Sequence, residues 1–363
     1  MIVLYLGEYA AGGVATYLRT LIDMQEKNPK IEKIILMVSD FKSEQFQFES
    51  DKVQVIRYRY KRGLHGIFTI LHQWPTILKV KPDIVHLHST FAGLIRVRAL
   101  LSFKHLHFGI VYCAHGWAFN QRVSALSKDV YIAVERVLSR VGYIINISQD
   151  EQDSAVRAGI SENHMVMIHN AIQYSKMPRK HSAHQGTKFL FIGRFDRQKG
   201  LDVLLSAFQR LPRKYELSIA GGSILDDDKK TYLSNRRNVN YLGWLSREQI
   251  ANQLLQSDAL IVPSRWEGFG LVALEAMANS TAVIASKVGG LPEIVVQELT
   301  GILVPPEDPN ALYQVLSSVT KEELETMGRA GRQRIERLFN PQKMERQVFD
   351  VYNAEFKLAN HLL

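Results

Sequence analysis

One cysteine in 363 residues, Cys113, leaves no internal disulfide and no thiolate zinc cage. It lies in the apolar run "FGIVYCAHG", the setting of a buried structural cysteine rather than a reactive one. No stretch approaches the roughly 18 apolar residues needed to cross a bilayer. The opening "MIVLYLGEY", interrupted by Glu8, is too short and too acidic for a secretory signal. A cytoplasmic location is therefore expected, and the lack of low-complexity tracts predicts a folded chain throughout. Acidic residues are scarce in the first half. Residues 1–180 hold 23 Lys and Arg against 15 Asp and Glu, whereas 181–363 hold 22 against 21. An anionic partner is expected for the first half: a phospholipid surface, a phosphorylated substrate or nucleic acid. The densest cluster is "RYRYKRG" at 57–63, echoed by Arg96, Arg98 and Lys104. Beyond Tyr58 and Tyr60 inside that cluster no aromatic-interleaved basic motif recurs, and a helix-turn-helix signal is missing, which sets nucleic acid aside.

What is present is an alternation of short β-branched apolar runs with segments of helical period. Strands are predicted at 2–6, 33–39, 53–58, 83–88, 108–116 and 143–148, then at 188–194, 216–222, 239–244, 259–264, 282–286 and 301–306. Helices are predicted after the glycines at 12–13 and over 67–79, 92–102 and 130–141. In the second half they fall at 200–210, 246–255, 271–278, 309–318, 321–338 and 342–361. The pattern is α/β, with two doubly wound, Rossmann-like domains. The first domain is expected over 1–172 and a polar linker over 173–187. The second domain should span 188–341, and a helix at 342–363 is expected to cross back to the first. Such domains bind ligands at the carboxyl ends of their strands, so a cleft between them is the expected site.

Three glycine-bearing turns follow strands: "GEYAAGGVATYL" (7–18), "GRFDRQKGLDVLL" (193–205) and "GFGLVAL" (268–274). Backbone N–H groups in such turns converge on an anion at a helix N-terminus. The dinucleotide pattern Gly-x-Gly-x-x-Gly is missing after the first strand, and "RQKG" is no Walker A loop. Phosphate without nicotinamide or a P-loop is the reading left. Arg194 and Lys199, flanking the second turn, suit a grip on a diphosphate.

Glu267 and Glu275 stand eight residues apart in "SRWEGFGLVALEAM". Burying carboxylates without partners is costly. No His or Asp at ligand spacing supports a metal, and "DDDK" at 226–229 is more simply an exposed turn. A glycosidase acid pair fits the residue types but explains neither the two domains nor the phosphate grips. The remaining reading has Glu267 accepting hydrogen bonds from sugar hydroxyls and Glu275 from a ribose diol.

Together "GGVATYL", "CAHG", "FIGRFDRQKGLDVLLSAF", "SDALIVPSRWEGFGLVALEAMA", "GGLPEIV" and "TGILVPPEDPNAL" make the chain resemble the retaining glycosyltransferases of family 4, of bacterial surface-polysaccharide type, with the GT-B architecture. The resemblance implies that Gly13 gives its backbone N–H to a donor phosphate and that Arg194 and Lys199 hold the diphosphate. Glu267 would touch the transferred sugar, Phe269, Gly270 and Leu271 would line the phosphate and sugar side, and Glu275 would bind the ribose. His115 matches a histidine close to the sugar. The implied reaction moves a hexose or N-acetylhexosamine from a nucleoside-diphosphate sugar, UDP-linked, with no required metal and no further cofactor. The implied acceptor is an anionic or lipid-diphosphate-linked glycan, with peripheral membrane contact through the basic half. A small soluble acceptor, an epimerase, a phosphorylase and a non-catalytic sugar-nucleotide sensor are the alternatives. "IHNAIQ" (168–173) departs from the family's Pro-Asn-Gly-type turn, with Ala171 in the glycine's place and Gln173 in the acid's.

Overall fold

The computed structural model describes residues 1–41, 43–60, 64–102, 106–121, 123–174, 186–223 and 238–361. The chain divides into two compact units, Met1–Ile172 with Pro341–Leu363, and Gln173–Asn340. Residues 175–185 of the segment read as a linker lie outside the described residues, as do "DDDK" and Lys104.

Unit 1 is built on a parallel seven-stranded sheet of order β3-β2-β1-β4-β5-β6-β7. Its strands are β1 (Ile2–Gly7), β2 (Lys33–Ser39), β3 (Val53–Tyr58), β4 (Ile84–His88), β5 (Gly109–Cys113), β6 (Tyr143–Asn146) and β7 (Met165–Met167). Both faces of the sheet are covered, so the strands read as continuous apolar runs. Leu4 and Leu6 enter one core beside Leu87 and Tyr112. Val3 and Tyr5 enter the other, beside Leu18, Val348 and Tyr352.

Its helices are α1 (Gly13–Gln25), α2 (Leu64–Leu71), α3 (Trp74–Val80), α4 (Thr90–Gly93), α5 (Ile95–Leu101), α6 (Ala125–Leu138) and α7 (Gln149–Arg157). The single helix predicted over 67–79 is two, because Pro75 sits in the first turn of α3, where its missing N–H costs nothing. Helix α6 starts five residues earlier than its apolar pattern suggests, at the Ser124 cap. The strand β7 and helix α7 were not predicted. The first has only three residues, and the second is a polar segment capped by Ser148.

Unit 2 carries a parallel six-stranded sheet of order β10-β9-β8-β11-β12-β13. Its strands are β8 (Thr187–Ile192), β9 (Tyr215–Ala220), β10 (Val239–Gly243), β11 (Ala259–Val262), β12 (Ala282–Ser286) and β13 (Gly301–Val304). Its helices are α8 (Leu201–Phe208), α9 (Arg247–Leu255), α10 (Leu271–Ala278), α11 (Leu291–Ile294), α12 (Pro309–Ser318) and α13 (Lys321–Leu338). Capping boxes start α9 at Ser246 and α13 at Thr320, each returned by the residue three on, Gln249 and Glu323. The last helix, α14 (Pro341–His361), packs on unit 1 against α1 and β5.

In each unit the winding direction reverses once, between β1 and β4 and between β8 and β11. The loops leaving those strand pairs are where a doubly wound sheet offers a ligand its crevice.

Candidate active site

In unit 2 the reversal point gathers the loops after β8 and β11. The Arg265 amide donates to the Gln198 carbonyl at 2.8 Å, and the Gln198 side-chain amide to the Trp266 carbonyl at 3.1 Å. This stapling sets Lys199 beside Glu267, with Nζ 2.5 Å from Oε2. Ser264 Oγ donates to the same carboxylate oxygen at 3.2 Å. Both charged side chains are mostly shielded from water, so each answers the other's desolvation. Arg194 lies further out, half exposed, with Asp196 at 3.0 Å and Gln198 Oε1 at 3.0 Å. Arg265, which the sequence reading passed over, anchors the assembly. It makes a two-pronged bond to Asp202 (2.9 and 2.7 Å) and a bond to Glu307 (2.6 Å). These bonds lower the Asp202 carboxyl and raise the Arg265 guanidinium from their ordinary pKa values.

Two glycines make this packing possible. Gly270, at φ 99°, is the N-cap of α10, and a Cβ there would lie 2.6 Å from Leu291 Cδ2. Gly289, at φ 53°, would put a Cβ 1.7 Å from the Glu267 carbonyl oxygen. A Cβ at either position would collide with its neighbour, so only glycine fits there. Phe269 is buried with its ring against Phe339 at 5.8 Å between centroids, and Leu271 is buried too. What these two present to a ligand is backbone. Glu275 lies half-buried one turn into α10, and its carbonyl accepts from Asn279 at 2.8 Å.

In unit 1 the corresponding ends belong to β1, β4 and the neighbouring β5. Gly13 opens α1, exposed, behind Gly12 at φ 56°. The turn amides already meet side chains: Gly12 N–H donates to Glu44 Oε1 at 2.8 Å and Ala10 N–H to Ser43 at 3.1 Å. A carboxylate thus sits where an anion is expected. His115 follows β5 with φ 53°, a conformation histidine tolerates better than most residues. Its Nε2 lies 2.9 Å from His88 Nδ1 and its Nδ1 3.7 Å from Cys113 Sγ. Its ring stands edge-on to Tyr17 at 4.8 Å. Burial lowers its pKa to about 3 and pushes His86 and His88 well below the ordinary range. The spacing that could have shown this cluster is "HLH": two residues apart on β4, His86 and His88 share a face with Tyr5. His88, Cys113 and His115 are also the described residues whose ligand atoms, within 4.8 Å of one another, could meet around a metal ion. Here they bond to one another.

The basic cluster needs one correction. Arg96 is fully buried, 2.7 Å from Glu135 and over the Tyr112 ring at 3.7 Å, so it belongs to the core and not to a cationic surface. A residue following a helix start in "IRVRALL" can face either way, and Glu135, 39 positions on, decides it.

A family model described as Glycosyltransferase Family 4 matches residues 11–176, and one described as Glycosyl transferases group 1 matches residues 174–335. The chain is 33% identical over 334 residues to a Klebsiella pneumoniae protein described as an uncharacterized 41.2 kDa protein in cps region, covering 88% of this chain and 90% of that one. Among solved structures it is similar to sucrose-phosphate synthase from Thermosynechococcus elongatus, with a TM-score of 0.82 at 23% identity over 98% and 99% of the two chains. It is also similar to Anabaena Alr3699/HepE in complex with UDP-glucose, with a TM-score of 0.78 at 18% identity over 98% and 100%.

Proposed function

The chain belongs to the glycosyltransferases of the GT-B fold, and from that premise we propose that it moves a hexose or N-acetylhexosamine from a UDP-sugar to a lipid-linked glycan in surface-polysaccharide synthesis, with retention at the anomeric carbon. The observation that carries this reading is the Lys199–Glu267 pair at the reversal point of unit 2. A diphosphate arriving there takes Lys199 and Arg194, and Glu267 turns to the sugar hydroxyls. Glu275 holds the ribose, and the backbones of Phe269, Gly270 and Leu271 line the phosphate and sugar side. For unit 1, the family resemblance supports a phosphate contact through the Gly13 amide and a sugar contact at His115. The structure of HepE with UDP-glucose supports a UDP-linked donor, and the cps-region relative supports the polysaccharide setting. The acid-poor first half supports an anionic, lipid-diphosphate acceptor and peripheral contact with the inner face of the membrane.

The chemistry breaks the bond from the anomeric carbon to the diphosphate, whose oxygen keeps the electron pair. The acceptor hydroxyl then bonds to that carbon on the same face and passes its proton to the departing phosphate. Lys199 and Arg194 neutralise the charge that develops on the leaving group, the role a metal plays elsewhere. His115, held neutral and bonded at both ring nitrogens, acts as a positioned dipole and not as an acid.

The test is nucleotide release from a panel of UDP-, GDP- and ADP-sugars with a bacterial lipid extract as acceptor. A UDP-sugar should raise the melting temperature and release UDP only with acceptor present. Full activity in both Lys199→Ala and Glu267→Ala would sink the assignment of the site.

A further inference from the structure

Helix α6 packs on unit 1 by one edge. Ile132, Glu135 and Leu138 turn inward, the first against the sheet's core and the second onto Arg96. On the opposite side Leu126, Val130, Ala133 and Val137 follow one another at spacings of four, three and four, a single stripe along the helix. All four are exposed: Leu126 is 76%, Val130 52% and Val137 50% accessible. Val134 and Val123 widen the stripe, and Leu101, at the end of the adjoining α5, is 78% accessible.

A surface helix ordinarily centres polar side chains on its outward face. Here the outward centreline is apolar from Leu126 to Val137, about 16 Å at the helical rise. Charged residues border it: Lys128 and Asp129 on the helix and Arg140 just past its end are exposed, while Arg136, also exposed, donates through Nε to the Ala158 carbonyl. Residues 57–140 repeat the bias: 13 Lys and Arg stand against Asp83, Asp129 and Glu135, and 12 against two remain once the buried Arg96–Glu135 pair is set aside.

We propose that α6 is the surface by which unit 1 docks on an anionic lipid bilayer. It lies in the interfacial plane, with Leu126, Val130 and Val137 among the acyl chains' upper carbons and the basic flanks on lipid phosphates. The charge selects this occupant over a second copy of the chain, because a two-fold contact through α6 would bring the same cationic segments together. Among the described residues no helix is long and apolar enough to cross a membrane, so the contact is interfacial. The proposal deepens the lipid-linked acceptor reading, and its test needs neither donor nor acceptor.

That test is co-flotation of the full chain with vesicles of phosphatidylethanolamine and phosphatidylglycerol, against vesicles of phosphatidylcholine alone. The chain should float with the anionic vesicles and progressively less as salt rises. Val130→Asp/Val137→Asp, which changes only exposed side chains, should weaken flotation about tenfold or more. The same variant should keep wild-type transfer to a detergent-dispersed acceptor, which separates docking from catalysis. Leu299→Asp, an exposed apolar site in unit 2, should float like the wild type. Equal flotation of the double variant and the wild type, or no preference for anionic vesicles, would overturn the proposal. So would a concentration-dependent dimer in sedimentation that the double variant abolishes, since the stripe would then be a contact between copies.

Discussion

Unit 2 keeps ions at the carboxyl end of its sheet: Lys199 against Glu267, Arg194 against Asp196, and Arg265 between Asp202 and Glu307. At the same end of unit 1 the cluster around His115 is neutral, and the carboxylates nearby serve the turns, Glu44 taking the Gly12 amide and Arg19, and Glu151 the Gly116 amide. There His115 meets His88 and Cys113, while His86 meets Tyr352, which meets Tyr5. Two sheets wound alike thus differ at corresponding positions, with the Lys199–Glu267 ion pair at the crevice of one and a neutral histidine cluster at that of the other. The difference follows from burial. A charge persists only beside a counter-ion or water, and the histidines of unit 1 bond to one another, to Cys113 and to Tyr352 and not to a carboxylate.

The largest expected effect comes from removing an ion at unit 2's reversal point. Lys199→Ala should lower kcat/KM by about 10² to 10³, the usual loss when one donor to a developing anion goes. It should also destabilise the fold, because Glu267 is left shielded without its cation. Steady-state kinetics and urea titration on the same preparation read both. If His115→Ala lost more activity than Lys199→Ala, the reaction's electrostatics would have to be moved to unit 1.

Next is the acid side of unit 1. His115 is held at about 3, below its ordinary 6.5, so the unfolded chain takes up protons that the folded one refuses. Stability should therefore rise with pH between about 3 and 6.5, and fall by several kcal/mol as the medium is acidified through that window, with His86 and His88 adding to it. Urea midpoints from pH 4 to 8 measure the slope. His88→Asn should flatten it. An unchanged slope would mean that unit 2's carboxylates, and not this cluster, govern acid unfolding.

Most of this architecture was legible beforehand, for an identifiable reason. Strands buried on both faces announce themselves as runs such as "KIILMVS", and loops such as "GRFDRQKG" carry their glycines in the sequence. The residues around the candidate site were legible as types but not as partners. That Lys199 pairs with Glu267 depends on two loops 68 positions apart meeting at one crevice, which no local pattern encodes. Arg265 and Arg96 show the same limit from both sides. Each is one more arginine in a row until Asp202 or Glu135 arrives from elsewhere in the chain. The outward stripe of α6 was equally hidden, because helical period shows that an apolar face exists and not which way it turns.

A carboxylate tests the comparison with the opposite sign. Glu355, on α14, accepts from the Ile110 amide at 3.1 Å, and burial raises it to about 7. The folded chain therefore binds its proton more tightly than the unfolded one. That stability is fully present below about 4.5 and is lost as pH rises through 7. Glu355→Gln stays neutral throughout. It should match the wild type near pH 4.5 and exceed it by up to about 3 kcal/mol at pH 8. Between about 4.5 and 6.5 the histidines and Glu355 pull against each other, so the variant should steepen the rise that the histidines cause. An identical pH profile would show that Glu355 is ionised in the folded state after all.

The smallest effect separates hydrated ions from buried ones. Arg265→Lys keeps the charge but loses the two-pronged bond to Asp202, whose side chain is largely exposed. Water and salt screen what remains, so the cost should be about 1 kcal/mol in dilute buffer and less in molar salt. Tyr352→Phe, which deletes the hydroxyl between Tyr5 and His86, is the control from unit 1. Its cost should not respond to salt, because no ion of the solution reaches those groups. Equal salt sensitivity in the two variants would mean that water enters unit 1's cluster as it does unit 2's, and the neutral state of His115 would then lose its physical cause.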